Sequence, residues 1–263
     1  MTARARILAA AAALLVAVAG SSGAIACGGE AQSDRIVGIP ARGELRLASG
    51  RTVRLSGVRL ADAGAIGADA RAALDALVQA PVTVRLIDAA PDRWGRVPGV
   101  VALAEDADGA DLARRLVALG LAFVDAGDMG RLCDPGLLEI ETKARRDGIG
   151  LWAEPDAQPI AADDAPALAA ARDRFALVEG RVRSVGVRER RVYLDFAGPD
   201  AETFTAIVPA EIFARLEASG LDARALRGRR IRVRGIIQDW RGAAVTVTAA
   251  ETIEILEARP SVR

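Results

Sequence analysis

The side chains of this sequence restrict its chemistry before any element is assigned. Among 263 residues there is no histidine, and 35 Lys and Arg stand against 35 Asp and Glu. That removes Ser-His-Asp triads, Cys-His nucleophile pairs, His-ligated zinc and imidazole proton shuttles. Catalysis must run on carboxylates, arginines, hydroxyls or a hard metal ion held by oxygen. Three stretches gather such groups. Glu105-Asp106-Ala107-Asp108-Gly109-Ala110-Asp111 spaces its acids like half a calcium loop, but it lacks the terminal Glu. Its place between a strand and a helix favours a hairpin turn with Asp111 near the helix N-cap. Arg188–Arg191 and Arg227–Arg234, with Tyr193, Phe196, Phe204 and Trp240, have the makeup of a groove that stacks single-stranded bases. The alternative is a solvated barrel edge over core aromatics, because acids interleave throughout.

Apolar residues make up 51% and charged residues 27%, which excludes a mostly disordered chain. The length suggests two domains, each with its own core. At the N-terminus Arg4 and Arg6 precede an unbroken Ala/Leu/Val run over Ile7–Ala19, and Ala24-Ile25-Ala26 follows. This pattern is an export signal over residues 1–26, too short for a spanning helix. The expected location is periplasmic or secreted, with no membrane span. Cys27 directly after the cleavage site leaves a lipoprotein as the lesser alternative. Cleavage removes two arginines and leaves the acids two ahead, so the mature chain does not advertise strong nucleic-acid binding. Two cysteines in an exported chain favour one disulfide, Cys27 to Cys133.

The elements that must position these groups follow from periodicity. Arg35–Pro40, Glu44–Ala48 and Arg51–Val58 read as strands split by Gly turns, and Asp69–Gln79 has helical spacing. Val82–Ile87 and Val97–Leu103 are further strands; Asp111–Leu119 and Pro135–Arg146 are amphipathic helices ended by Gly120 and Gly148. Residues 153–173, rich in Asp, Pro and Ala, read as a linker. Five strands follow, with a helix at Ala210–Ser219 between the third and fourth, the order of a small OB-type barrel. Gly50–Val58 and Gly228–Ile236 share an alternation of Arg with β-branched residues. Convergent strand patterning and duplication both account for that echo.

Four segments in order resemble the staphylococcal-nuclease (thermonuclease) family. Arg51–Val58 is similar to its V-R-L-x-G-I strand, and Asp92-Arg93-Trp94-Gly95-Arg96 to its D-R-Y-G-R segment. Leu116–Val124 is similar to L-x-x-x-G-L-A-x-V, and Leu138–Trp152 to E-x-x-A-R-x-x-x-x-G-L-W. The resemblance implies an α+β fold: an OB barrel with helices over 35–152, followed by an OB-type tail, seen on some exported bacterial members, over 174–258.

It also implies a site. Two arginines clamp a phosphate, a carboxylate orients the attacking water, and two aspartates help to hold calcium. Arg54 and Arg96 match the arginines, and Asp62 is a shortened stand-in for the glutamate. The calcium ligands are replaced: Gly43 stands for one aspartate and Arg59 for the other, within Ala41-Arg42-Gly43-Glu44 and Arg59-Leu60-Ala61-Asp62. No cofactor is therefore expected. Arg54, Arg96 and Arg59 are expected to form a phosphate-binding pocket, with nucleic acid or another phosphate-bearing ligand as partner. Salt-bridge roles for Arg54 and Arg96, with Glu44, Asp62 or Asp92, stay open. The expected function is a degenerate nuclease that keeps at most that pocket. The alternative is a working phosphodiesterase with altered metal use, in which Arg59 replaces the calcium charge and Glu44 acts as base.

Overall fold

A computed structural model describes residues 27–40, 43–88, 90–104, 111–196 and 204–256. The export signal, Arg42 and the acidic run at 105–110 lie outside these residues. Strands β1 (Gln32–Gly38), β2 (Leu45–Leu47) and β3 (Thr52–Leu55) form an antiparallel meander. After β4 (Val58–Leu60) and α1 (Gly64–Asp75), β5 (Pro81–Leu86) and β6 (Arg96–Leu103) return to it. The barrel closes in the order β1-β2-β3-β6-β5. β6 lies parallel to β3, with Val53 opposite Val97, and β5 pairs back onto β1. Alternation dictates which face is inside: Val53 and Leu55 point into the core, while Arg54 between them is directed outward, where the cleft forms.

Helix α2 (Leu112–Ala118) starts at Asp111, whose carboxylate accepts a hydrogen bond from the Arg114 N–H at 2.7 Å. The hairpin-and-cap alternative for Asp111 therefore holds at its described end. β7 (Ala122–Val124) pairs antiparallel with β4, and α3 (Leu137–Arg146) packs beside it. Cys27 and Cys133 are disulfide-bonded, as the cysteine count leads one to expect.

The stretch expected as a linker is built into the fold. Turns of 3-10 helix at Gly150–Ala153 and Pro155–Ala157 lead to β8 (Ile160–Ala161), which pairs parallel with a strand of the second domain, and to α4 (Ala165–Ala170). The Asp and Pro residues that read as linker composition start this helix: the Asp164 side chain accepts from the Ala167 N–H, and Pro166 lies in the first turn. Leu168 is buried in the second core.

That domain comprises β9 (Phe175–Arg181), β10 (Ser184–Val187), β11 (Arg191–Asp195), β12 (Thr205–Pro209), α5 (Ala210–Ala218), α6 (Ala223–Leu226), β13 (Arg230–Ile236), β14 (Gln238–Asp239), β15 (Ala243–Thr246) and β16 (Glu254–Ile255). Its strands pair as β10-β11-β12-β15-β14 and β16-β13-β9-β8. β9 runs on into β10 and β13 into β14, so the chain itself joins the two sheets. The pairing scheme repeats that of the first barrel, including a parallel pair between the third and fifth strands, β12 and β15. The echo between 50–58 and 228–236, however, falls on β3, a third strand, and on β13, a fourth. Strand patterning explains it; duplication would have put it on equivalent strands.

The two domains share buried surface. Leu177 of β9 packs with Ala144, Leu151 and Trp152, and Ala249 belongs to the first core. Arg234 of β13 donates to the Val124 carbonyl and to both carboxylate oxygens of Glu141, on α3.

Candidate functional site

Six of the seven residues singled out at this site in the sequence, Gly43, Glu44, Arg54, Arg59, Asp62 and Arg96, line one cleft of about 780 Å³ on the first barrel, and Asp92 lies outside its lining. β3 contributes Arg54, and the β3–β4 turn leads to Arg59 and then Asp62. Arg96 opens β6, and Gly43 and Glu44 precede β2. The floor is apolar, with Leu55, Val58, Leu60 and Leu74. Glu44 and Asp62, whose convergence the sequence leaves open, line the same cleft.

The two arginines are held differently. Arg96 donates through Nε to Asp92 at 2.9 Å and through Nη1 to Glu44 at 3.1 Å. Its Nη2 lies 2.8 Å from Asp92, and its guanidinium sits 4.6 Å from the Trp94 ring centre. The Asp92 hydrogen bond is the main force holding the guanidinium charged, against the cost of burial. At Asp92 a burial cost pushes the carboxyl up, but the Arg96 and Trp94 N–H groups and the Arg96 guanidinium prevail and bring it down to about 2. Among the described residues Arg54 makes one side-chain ion pair, from Nη2 to Asp128 at 2.5 Å, and its buried Nε has no partner. The salt-bridge reading is thus realised for Arg96 with Glu44 and Asp92, two of the three acids the sequence offers it.

Arg59 is turned to other work. Its Nε donates to Asp125 at 3.0 Å, and its guanidinium lies 5.1 Å from the ring centre of Phe175, in the second domain. Asp62 is exposed and makes no ion pair or hydrogen bond among the described residues. Asp125, Asp128 and Arg71 are contributors the sequence reading missed. Arg71, on α1, lines the cleft while donating to the Pro40 and Ile39 carbonyls and to Asp75. Asp125 and Asp128 directly follow the segment ending at Val124, but their targets are 66 and 74 residues away and no local spacing marks them.

These residues do not fit calcium. A hard cation needs several oxygen ligands, and no group of three or more His, Cys, Asp or Glu among the described residues is arranged to hold a metal. Gly43 has φ +79°, and a Cβ there would stand 2.1 Å from Leu60 Cδ1. Leu60 thus fills the space in which an aspartate at 43 would begin. Arg59, at the position the resemblance would give to the second acid, adds a positive charge to the cleft.

The residues weighed as a basic-aromatic groove or a barrel edge over core aromatics in the second domain divide. Phe196 and Phe204 are core residues, and Arg232 and Arg234 are buried in ion pairs. Tyr193 and Trp240 stack on each other, 5.2 Å apart.

No curated protein matches the chain. Residues 52–154 match the family model described as staphylococcal nuclease homologue, and the segment includes Arg54, Arg59, Asp62 and Arg96 with strands β3–β7, α1–α3 and the closing Trp152, but not β1 and β2. The chain therefore carries a staphylococcal nuclease homologue domain.

Proposed function

We propose that this protein is an exported, degenerate nuclease homologue whose cleft keeps an anion-binding arginine and has lost calcium-dependent hydrolysis. The carrying observation is that Arg59, which the resemblance aligns with a calcium ligand, is bound to Asp125 and packed against Phe175. Leu60 packed against Gly43 supports the same reading. A metal's Lewis-acid contribution is worth several kcal/mol of barrier, and a positioned general base roughly 10²–10⁴ in rate. Asp62 reaches one methylene less far than the glutamate it replaces. What Arg54 can still do is donate to a phosphate oxygen; Arg96 orders the cleft wall through Asp92 and Glu44. The ligand class is a phosphate-bearing molecule, nucleic acid included.

Export is supported by the Cys27–Cys133 disulfide, which suits an oxidising compartment. It also occupies the sulfur a lipid anchor would take. No helix among the described residues is long and apolar enough to cross a membrane. A working phosphodiesterase is favoured by one feature, the unpaired Asp62 carboxylate in the same cleft as both arginines. Incubation with single-stranded DNA, with calcium and with a chelator, separates the readings. No cleavage in either supports the degenerate homologue, and turnover abolished by Asp62→Asn overturns it.

A further inference from the structure

The loop after β7 crosses the cleft beside Arg54. Asp125 binds Arg59, and Gly127 passes so close that a Cβ there would lie 2.7 Å from Arg54 Nη1. Asp128 then places Oδ1 2.5 Å from Arg54 Nη2. The far end of the loop is fixed. The Gly130 carbonyl accepts from Arg215 at 2.5 Å, the Leu132 N–H donates to Glu251, and Cys133 is bonded to Cys27. Asp128 itself is in solvent: its side chain is 74% exposed, against 29% for Arg54, and among the described residues this contact is its one side-chain bond.

The contact is also incomplete. Nη2 and Nε lie on the same edge of the guanidinium and together match two oxygens of one anion. Asp128 takes Nη2 alone, and the buried Nε is without an acceptor. At Arg96 the corresponding edge is full, with Nε and Nη2 both on Asp92 and Nη1 on Glu44. The two arginines are therefore unequal: one is neutralised by carboxylates only 8% and 21% exposed, the other by a carboxylate in solvent.

We infer that Asp128 is a built-in competitor for the anion site at Arg54, which a ligand must displace and which restricts the site to anions with two oxygens able to span Nη2 and Nε. The inference rests on the anion-pocket reading above and names the residue that sets its affinity and selectivity. A tetrahedral oxyanion such as phosphate or sulfate satisfies both nitrogens; chloride gains nothing from the fork.

The test is calorimetric titration of the folded, oxidised protein with inorganic phosphate, sulfate and chloride at low salt. Asp128→Asn and Asp128→Ala should bind phosphate and sulfate about two- to five-fold more tightly than the parent, the range expected from removing one exposed ion pair. Chloride affinity should not change, and the gain should vanish in an Arg54→Ala background. Equal phosphate binding in the parent and both Asp128 variants, with loss in Arg54→Ala, overturns the competitor and leaves the pocket standing. A gain that survives Arg54→Ala, or that extends equally to chloride, also overturns it. No phosphate binding in any variant rejects the pocket and the competitor together.

Discussion

Arg234 and Glu141, 93 residues apart and in different domains, bond at 2.8 and 3.0 Å with almost no exposure. Burial by itself disfavours the charged guanidinium, but the carboxylates of Glu141 and Glu254 outweigh it and hold the charge firmly. Glu254 in turn bonds Arg232, which also binds Glu179, so the seam is a chain of alternating charges. Such a chain binds the domains in one register, and its members cannot be removed singly without leaving a buried charge uncompensated.

Arg234→Met should accordingly cost about 3–5 kcal/mol of unfolding free energy. Glu141→Gln should cost less, because the amide oxygen can still accept from Val124 N–H or from Arg234. Urea unfolding checks both. Equal small losses would mean that water reaches the seam.

Ending the chain after Ala157 should leave a domain with no cooperative melt, since it loses Arg234, Leu177 and Ala249 from its buried surfaces. A sharp calorimetric transition for the truncated chain would contradict this.

Asp92 makes stability depend on acid. Its folded value of about 2 lies below the ordinary 3.8, so its contribution is complete above the unfolded value and is lost as pH falls through 4 towards 2. Asp92→Asn should melt lower than the parent at pH 7, and the gap should narrow by pH 2. Melting curves at pH 7, 4, 3 and 2 provide the measurement; a constant gap would assign the effect to shape alone.

Millimolar calcium should not raise the melting temperature. Gly43→Asp should not restore a response, and it should destabilise by about 1–3 kcal/mol, because the new side chain meets Leu60 and adopts a left-handed backbone. A chelator-reversible rise in either protein would show that other carboxylates rebuild a site.

The arginines should separate by phenotype. Arg54→Ala should lose phosphate binding while melting near the parent temperature, since its ion pair is solvent-exposed. Arg96→Ala should melt several degrees lower, because it leaves Glu44, 8% exposed, without its guanidinium. Melting curves alongside phosphate titrations distinguish the two.

Much of this fold is legible in local pattern. The alternation of Val53 and Leu55 with Thr52 and Arg54 marks β3, and Asp111 announces α2 by the oxygen it offers to a backbone N–H. The helix read at Asp69–Gln79 starts earlier, at Gly64, because Gly64, Ala65 and Gly67 carry little apolar signal. The site's arginines and replaced acids are visible through the resemblance, which aligns short segments. Their partners are not. Nothing near Arg54 in sequence indicates Asp128, and nothing about Arg59 foretells Phe175, because both contacts arise only when β7 and β9 arrive from far along the chain. The arginines of β13 look like a basic strip for the same reason: Glu141, Glu179 and Glu254, which neutralise them, are supplied by other elements.

Ala249 in the first core has a consequence for the order in which the molecule can be completed. The core over a barrel that begins at Gln32 includes a residue more than two hundred positions later. During synthesis the N-terminal unit emerges first, and its contact with Ala249 is made only when nearly the whole polypeptide has been made. Native contacts so distant along the chain slow folding.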